Sequence, residues 1–208
     1  MSSRRVTAKA ASPRRIGWAT GLGLVLLATA LGLGSAWLVL KRGDAYGAHA
    51  GPWRANLLAG SADADLYSRA RVAVGGLLAL NRAETMYYVA ATDSDGQPLQ
   101  SRCRYRVSGP PPKARWWSLT AYAEDYYLFP NEQRRYSVNG LNAAIDDKGG
   151  FALISGPTDP GLAGVPWLPT PGDRGLMFTL RVYNPDGALQ AAPASLDAPR
   201  IERLAGCT

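Results

Sequence analysis

Two arginines of this chain stand beside aromatic residues in patterns that suit anion recognition. Arg115 directly precedes Trp116 and Trp117. Arg181 stands two residues before Tyr183 in a second segment. A guanidinium next to flat rings can combine carboxylate or phosphate binding with ring stacking. Strand arginines also pack on aromatic rings for purely structural reasons, so both interpretations stay open. The predicted ligand-binding residues are Arg115, Trp116, Trp117, Tyr122 and Arg181.

Carboxylate pairs are the other groups that could perform a reaction. Glycosidases place two Asp or Glu side chains about 5–9.5 Å apart across a cleft. Glu84, at a predicted helix-to-strand junction, is the first candidate acid, and Asp125 is the second. A simpler interpretation of Glu84 is an ion pair with a strand arginine. A carboxylate-dependent hydrolase of a cell-wall polymer or glycoside is therefore the alternative function.

The chain lacks the residues that most other catalytic mechanisms need. The one histidine, His49, lies outside the predicted domain, so a Ser-His-Asp or Cys-His arrangement inside it is excluded. No Gly-rich phosphate loop occurs at a strand-to-helix turn. The two cysteines, Cys103 and Cys207, predict a disulfide in an oxidising compartment, with two buried thiols as the alternative. We therefore expect neither a metal nor a cofactor.

A long apolar run decides where this chemistry would take place. Residues 16–40 contain no ionisable side chain, and about 20 apolar residues cross a bilayer. Five Lys or Arg precede the run and two follow it within residues 41–42, which favours a cytoplasmic N-terminus. We predict a single-pass anchor in a bacterial inner membrane with a periplasmic C-terminal domain. A signal peptide cut after residues 34–36 is the alternative.

The formal net charge of +7 belongs entirely to this membrane signal. Residues 1–42 hold seven Lys or Arg and no acid, whereas residues 43–208 hold 16 basic and 16 acidic side chains. A folded body without net charge lacks the electrostatic footprint that nucleic-acid binding needs. We therefore exclude nucleic acid as a partner.

The pattern along the chain predicts four segments. They are a cytoplasmic basic segment at 1–15, an anchor at 16–40, a spacer at 41–62 and an exported domain at 63–208. The spacer is rich in Gly and Ala and lacks periodicity, although its Trp53 can dock on the body. An amphipathic helix should run from about residue 66 to 81, with Asp63 or Asp65 as its cap.

The remaining domain has the features of an antiparallel β fold. Residues 102–107 alternate strictly, with Cys103, Tyr105 and Val107 on the apolar face. Many short β-rich segments are separated by Gly and Pro turns. The predicted fold is mainly β: an antiparallel, jelly-roll-like β-sandwich with one N-terminal amphipathic helix, preceded by a single transmembrane helix.

Several segments in a fixed order resemble a known family. They are YSRA at 67–70, ARWWSLTAY at 114–122, RYS at 135–137, WLPT at 167–170, LRVYNP at 180–185, PRI at 199–201 and the late Cys207. Together they are similar to the bacterial domain of unknown function 1214 family, and in particular to its short membrane-anchored members. The resemblance implies a β-rich exported domain and no established reaction, so it assigns no catalytic residue. Residues 123–127 depart from the Asp/Gly-rich turn expected there.

These observations favour a membrane-anchored periplasmic domain that binds a ligand or protein partner in the cell envelope. Its partners would be the inner membrane and that ligand. The hydrolase is one alternative. A structural envelope component without a small ligand is another, and it predicts tryptophans that are buried in the core.

Overall fold

A computed structural model describes residues 17–42, 47–75, 78–204 and 207. The chain divides into two compact units, residues 1–43 and residues 44–208. The first contains helix α1, Trp18–Arg42. Within it, Trp18–Val39 is the one described helix that is long and apolar enough to cross a membrane. It is a candidate membrane span or signal sequence, in good agreement with the apolar run predicted at 16–40.

The second unit is mainly β, as predicted, and contains two sheets. The six-stranded sheet is antiparallel throughout, in the order β1 (Gly47–Ala50), β2 (Trp53–Asn56), β3 (Thr85–Ala90), β10 (Leu176–Pro185), β5 (Ala114–Ala123) and β6 (Ser137–Asn139). The second sheet has the order β11 (Arg200–Arg203), β4 (Tyr105–Gly109), β8 (Phe151–Gly156) and β7 (Ala144–Ile145). In addition, β9 (Trp167–Pro169) pairs with β8 in parallel.

One hydrophobic core receives side chains from both sheets. The ring of Trp117 on β5 lies 4.6 Å from that of Phe151 on β8, measured between centroids. The ring of Tyr105 on β4 meets that of Phe178 on β10 edge to face at 6.4 Å. Each large aromatic side chain of this kind buries about 150–250 Å². The predicted apolar face of residues 102–107 is confirmed, because Cys103, Tyr105 and Val107 are buried.

The predicted spacer at 41–62 is wrong at residues 47–56, whereas residues 43–46 lie outside the described part of the chain. Strands β1 and β2 form a hairpin there, and β2 pairs with β3. The hairpin alternates buried and exposed residues, but its buried positions are mainly alanines, which give a weak hydrophobic pattern. Trp53 docks on the body as expected: it is buried, and its indole N–H donates to the Pro199 carbonyl at 2.7 Å.

Helix α2 spans Leu66–Val74 and ends seven residues before the predicted end at 81. Asp65 caps it by accepting hydrogen bonds from the amides of Tyr67 and Ser68. The Ser68 hydroxyl also donates to Asp65 at 2.6 Å, which holds the pKa of this carboxyl below its usual value. The helix ends at Gly75, since glycine disfavours helical continuation and no apolar face of α2 is buried enough to compensate.

The predicted disulfide joins Cys103 to Cys207. It links the segment before β4 to a residue 104 positions later in the chain. The final elements were not predicted from the sequence: helix α3 (Gly187–Ala191), a 3-10 turn at Pro193–Ser195 and strand β11. They close the core at one edge, where Leu189, Leu196 and Ile201 are buried.

Candidate functional site

The outer face of the six-stranded sheet brings together the residues of the candidate site. Strand β10 lies between β3 and β5, so its outward residues Thr179, Arg181 and Tyr183 have a neighbour on both sides. Arg181 is level with Tyr87 on β3 and with Ser118 on β5. Because adjacent strands lie about 4.8 Å apart, outward side chains from three strands form one continuous surface.

Arg181 is held by two hydroxyl groups of β5. Its Nη1 donates to Thr120 Oγ1 at 3.1 Å, and its Nη2 donates to the Tyr122 hydroxyl at 2.8 Å. The guanidinium carbon also lies 5.5 Å from the centroid of the Tyr122 ring, a cation–π distance. Two of the predicted ligand-binding residues, Tyr122 and Arg181, are therefore in contact, and this contact fixes the guanidinium over the sheet.

The charge of Arg181 has no acidic counterpart in the described part of the chain. The ion pairs there join Arg102 to Asp173, Arg174 to Asp125, Arg200 to Glu202 and Arg203 to Asp93. Arg181 is only partly exposed, and both of its side-chain partners are neutral. Two of the five guanidinium N–H groups are thus used, and the positive charge is available to a ligand.

A cleft of about 340 Å³ lies above this part of the sheet. Its sheet-borne lining residues are Tyr87, Val89, Tyr122, Met177, Thr179, Arg181 and Tyr183. The connection between α2 and β3 contributes Gly75, Leu78 and Leu80. The Leu80 amide donates to the Tyr87 hydroxyl at 3.1 Å, which attaches the connection to the sheet. The site combines apolar walls with few polar groups, as small-molecule sites do.

Tyr126 lines the cleft from the turn that follows β5. Its backbone has a left-handed φ of 67°, and its amide donates to the Ala123 carbonyl. The carboxylate of Asp125 stabilises the turn by accepting from the Tyr127 amide and from Arg174. Desolvation by the surrounding protein alone would raise the pKa of Asp125, but these two hydrogen bonds and the Arg174 charge outweigh it and lower that pKa. Asp125 therefore shapes the cleft and is engaged in its own ion pair.

The two candidate acids lie far apart. The Glu84 carbonyl accepts from the Asn184 amide, at one end of β10, whereas Asp125 pairs with Arg174, beyond the other end. About ten residues of extended chain separate these positions, or roughly 34 Å at about 3.4 Å per residue. The 5–9.5 Å spacing that a glycosidase pair needs is therefore not met by Glu84 and Asp125.

The predicted block at 115–117 divides between the two faces of β5. Trp117 points inward and is 5 % exposed, so it belongs to the core. Trp116 points outward, is 36 % exposed, and its ring lies 5.0 Å from that of Tyr183. Trp116 thus extends the aromatic surface beside the cleft. Arg115 is exposed and alternates with Trp116, so it does not share a face with Arg181.

A larger groove of about 920 Å³ lies beside α2 and is lined by residues 58–64, α2 and residues 78–80. Its one charged lining residue is Arg69, whose guanidinium donates to the carbonyls of Ala64 and Ala62 at 2.8 Å each. That charge is used to hold the local backbone. The smaller cleft is the better candidate because it has a cation that is available to a ligand.

The described part of the chain contains no group of three or more His, Cys, Asp or Glu side chains that could hold a metal ion. The chemistry available at the cleft is binding: an aromatic and apolar surface with one fixed guanidinium. Of its eleven lining residues, the sequence analysis predicted two, Tyr122 and Arg181, as ligand-binding residues. The alternation of β3 was a usable signal for Tyr87, since Met86 and Tyr88 on either side of it are buried.

The chain is similar to a known protein family. A family model described as "Protein of unknown function (DUF1214)" matches residues 84–187, which is half of the chain and includes β3, β5 and β10. This match confirms the family indicated by the sequence segments. No curated protein matches the chain significantly.

Two solved structures are similar to this chain. The VPA0106 protein from Vibrio parahaemolyticus has a TM-score of 0.59 and 21 % sequence identity over 95 % of this chain. An uncharacterized protein from Burkholderia cenocepacia has a TM-score of 0.42 and 16 % identity over 86 % of this chain. This chain spans only about half of each, 47 % and 52 % respectively. The Vibrio structure supports the fold alone.

Proposed function

Because the chain belongs to the DUF1214 family, whose function is unknown, we propose a role from the cleft itself: a membrane-anchored periplasmic domain that binds a small ligand in the bacterial cell envelope. The single observation that carries this proposal is the cleft of about 340 Å³ on the outer sheet face, with the guanidinium of Arg181 in it. This volume lies within the range of about 300–1,000 Å³ that is typical of small-molecule pockets.

The location of the domain rests on three features. Helix α1 has the length and composition of a membrane span. The excess of basic residues before it favours a cytoplasmic N-terminus. The disulfide between Cys103 and Cys207 fits an oxidising compartment such as the periplasm. A protease added to spheroplasts should then degrade the domain, whereas intact cells should protect it. Protection in both would place the domain in the cytoplasm.

Ligand binding can be tested with the full chain in lipid nanodiscs. Saturation-transfer NMR against a set of small water-soluble aromatic and aliphatic fragments should give signals for the wild type. Thr179→Trp should abolish them, because Thr179 lies on the cleft floor level with Val89 and Thr120. Arg106→Trp is the matched control, since Arg106 is exposed on β4 of the other sheet.

The result that contradicts the proposal is equally specific. Fragment signals that persist in Thr179→Trp, with its melting temperature close to that of the wild type, would show that the cleft is not the binding site. A lack of signals with every fragment would favour a structural envelope component, a role that the buried side chains of Trp53, Trp117 and Trp167 also fit.

A further inference from the structure

We infer that the ligand of this cleft is a small amphipathic molecule with one carboxylate, which Arg181 binds while the apolar part of the ligand lies against the cleft walls. This inference rests on the proposed function and specifies its ligand class. It concerns only residues of the domain: the guanidinium on β10, its two supports on β5 and the apolar residues around them.

The first step is the charge of Arg181. A partly buried guanidinium loses hydration, and proteins compensate such a loss with an opposite charge. Arg181 instead donates to two neutral hydroxyls, those of Thr120 and Tyr122, and no carboxylate of the described chain pairs with it. A ligand carboxylate would supply the missing charge. The planar fork of arginine suits a carboxylate because two parallel hydrogen bonds can form.

The second step is the rigidity of the guanidinium. Arg181 stands on β10, which pairs with neighbours on both sides along most of its length. Thr120 and Tyr122 stand on the adjacent β5 and fix the side chain from one side, at 3.1 and 2.8 Å. A charged group that is already oriented loses little entropy when a ligand binds. The same restraint makes the site specific for an anion at one place in the cleft.

The third step is the composition of the walls. Leu78, Leu80, Val89 and Met177 line the same cleft as Arg181 with apolar side chains, and the four lining tyrosines add rings. A purely ionic ligand such as free phosphate would leave this surface in contact with water. A molecule with an apolar body covers it and gains about 25 cal/mol for each Å² that is removed from water. The ligand therefore needs an acidic head and an apolar body.

The volume sets the size of this molecule. About 340 Å³ is close to the lower end of the 300–1,000 Å³ range of ligand pockets, so the cleft fits one short alkyl or aryl carboxylate. Free short-chain acids and membrane-derived fatty acids share this chemistry. The experiment below separates these two sources.

The test uses isothermal titration calorimetry on the full chain in phosphatidylcholine nanodiscs, with empty nanodiscs as the blank. The probes are 4-phenylbutyrate and its uncharged amide, which differ only in the acidic head. We expect the carboxylate to bind at least about tenfold more tightly than the amide, because a hydrogen bond to a charged group is stronger than one between neutral groups. Arg181→Gln should remove this preference.

Matched variants separate the effect of the Arg181 charge on binding from an effect on folding. Arg106→Gln removes an exposed arginine from β4 and should leave the preference unchanged. Arg181→Lys keeps the charge but loses the planar fork, so an intermediate preference is expected. The melting temperature of each variant is measured first. If Arg181→Gln fails to fold, Arg181→Lys and Tyr122→Phe, which removes one support of the guanidinium, carry the test.

Three outcomes are distinct. A preference for the carboxylate that is lost in Arg181→Gln supports the inference. Equal binding of acid and amide that is lost only in Thr179→Trp overturns the inference and leaves the proposed function in place. Binding of neither probe counts against both the inference and the proposed function.

A competition experiment identifies the source of the acid. If 4-phenylbutyrate binds, laurate is added to the nanodiscs. Displacement of 4-phenylbutyrate indicates a membrane-derived acid, and undisturbed binding indicates a free one.

Discussion

The two faces of β10 place different kinds of side chain on the same backbone. Leu180 and Val182 point inward and are fully buried in the core. Arg181 and Tyr183 point outward and line the cleft. The side chains of the inner face pack against other residues of the core. The outer face instead carries the Arg181 guanidinium, which has no acidic partner in the described chain. When one face of a strand is fully packed in the core, its other face can carry a binding surface with little loss of stability.

The largest expected difference between these faces is in stability. Leu180→Ala should lower the free energy of unfolding by about 2–5 kcal/mol, because it leaves a cavity in the core. Met177→Ala removes a side chain of similar size from the cleft face, where water or ligand can fill the space, and should cost less than half as much. Urea unfolding measures both. Equal losses would mean that the cleft face is packed like the core.

Removal of the disulfide should have the next largest effect. Cys207→Ser should lower the free energy of unfolding by about 2–4 kcal/mol, since the unfolded chain loses a cross-link between residues 104 positions apart. A reducing agent should destabilise the wild type by a similar amount and leave the variant unchanged. If reduction lowers the urea midpoint of Cys207→Ser as well, the effect does not come from this bond.

Two glycines with similar backbone angles test how the connection above the cleft is held. Gly60 has a φ of 71°, and a Cβ there would contact the Leu80 backbone. Gly51 has a φ of 59° with open space around it. Both alanine variants bear the cost of a left-handed backbone, of order 1–3 kcal/mol. Gly60→Ala should lose more stability in urea and should also displace Leu80, which weakens fragment binding. Identical losses would show that the Leu80 contact is unimportant.

The smallest effect should come from Asp125 and should depend on pH. Its pKa is lowered in the folded protein, so its contribution to stability is present above the ordinary Asp value of about 3.9 and is lost as the pH falls through the folded value. The urea midpoints of the wild type and Asp125→Asn should differ at pH 7 and converge below about pH 4. A difference that stays constant down to pH 2.5 would contradict this assignment.

The core face was largely predictable because its signals are local. Alternation in residues 102–107 and the run before Tyr122 predicted β4 and β5. Trp117 was predicted as a ligand-binding residue, but it is buried, as large aromatic side chains usually are. The hairpin of β1 and β2 was missed because most of its buried residues are alanines. Alanine is common in loops and helices too, so its alternation carries little information.

The cleft was predictable only in part. Arg181 and Tyr122 followed from the chemistry of the strands, and they do meet. Tyr126 and Leu80 reach the cleft from a turn and a connection, whose positions depend on long-range contacts that no periodicity records. The prediction at 115–117 failed for a different reason. The residue types suited a binding site, but alternation along β5 places Arg115 and Trp117 on one face and Trp116 on the other.

The position of β10 in the sheet has a consequence for the order of assembly. This strand is made late in the chain, yet Tyr183 pairs with both Thr85 and Trp116, so it joins two segments that were made long before. Contacts so distant in sequence form slowly, because a long loop must close before they yield any gain. Until β10 arrives, β3 and β5 each present an open edge that can pair with another chain. The nascent domain therefore exposes two unpaired strand edges until β10 is made, and the floor of the cleft is among the last parts to form.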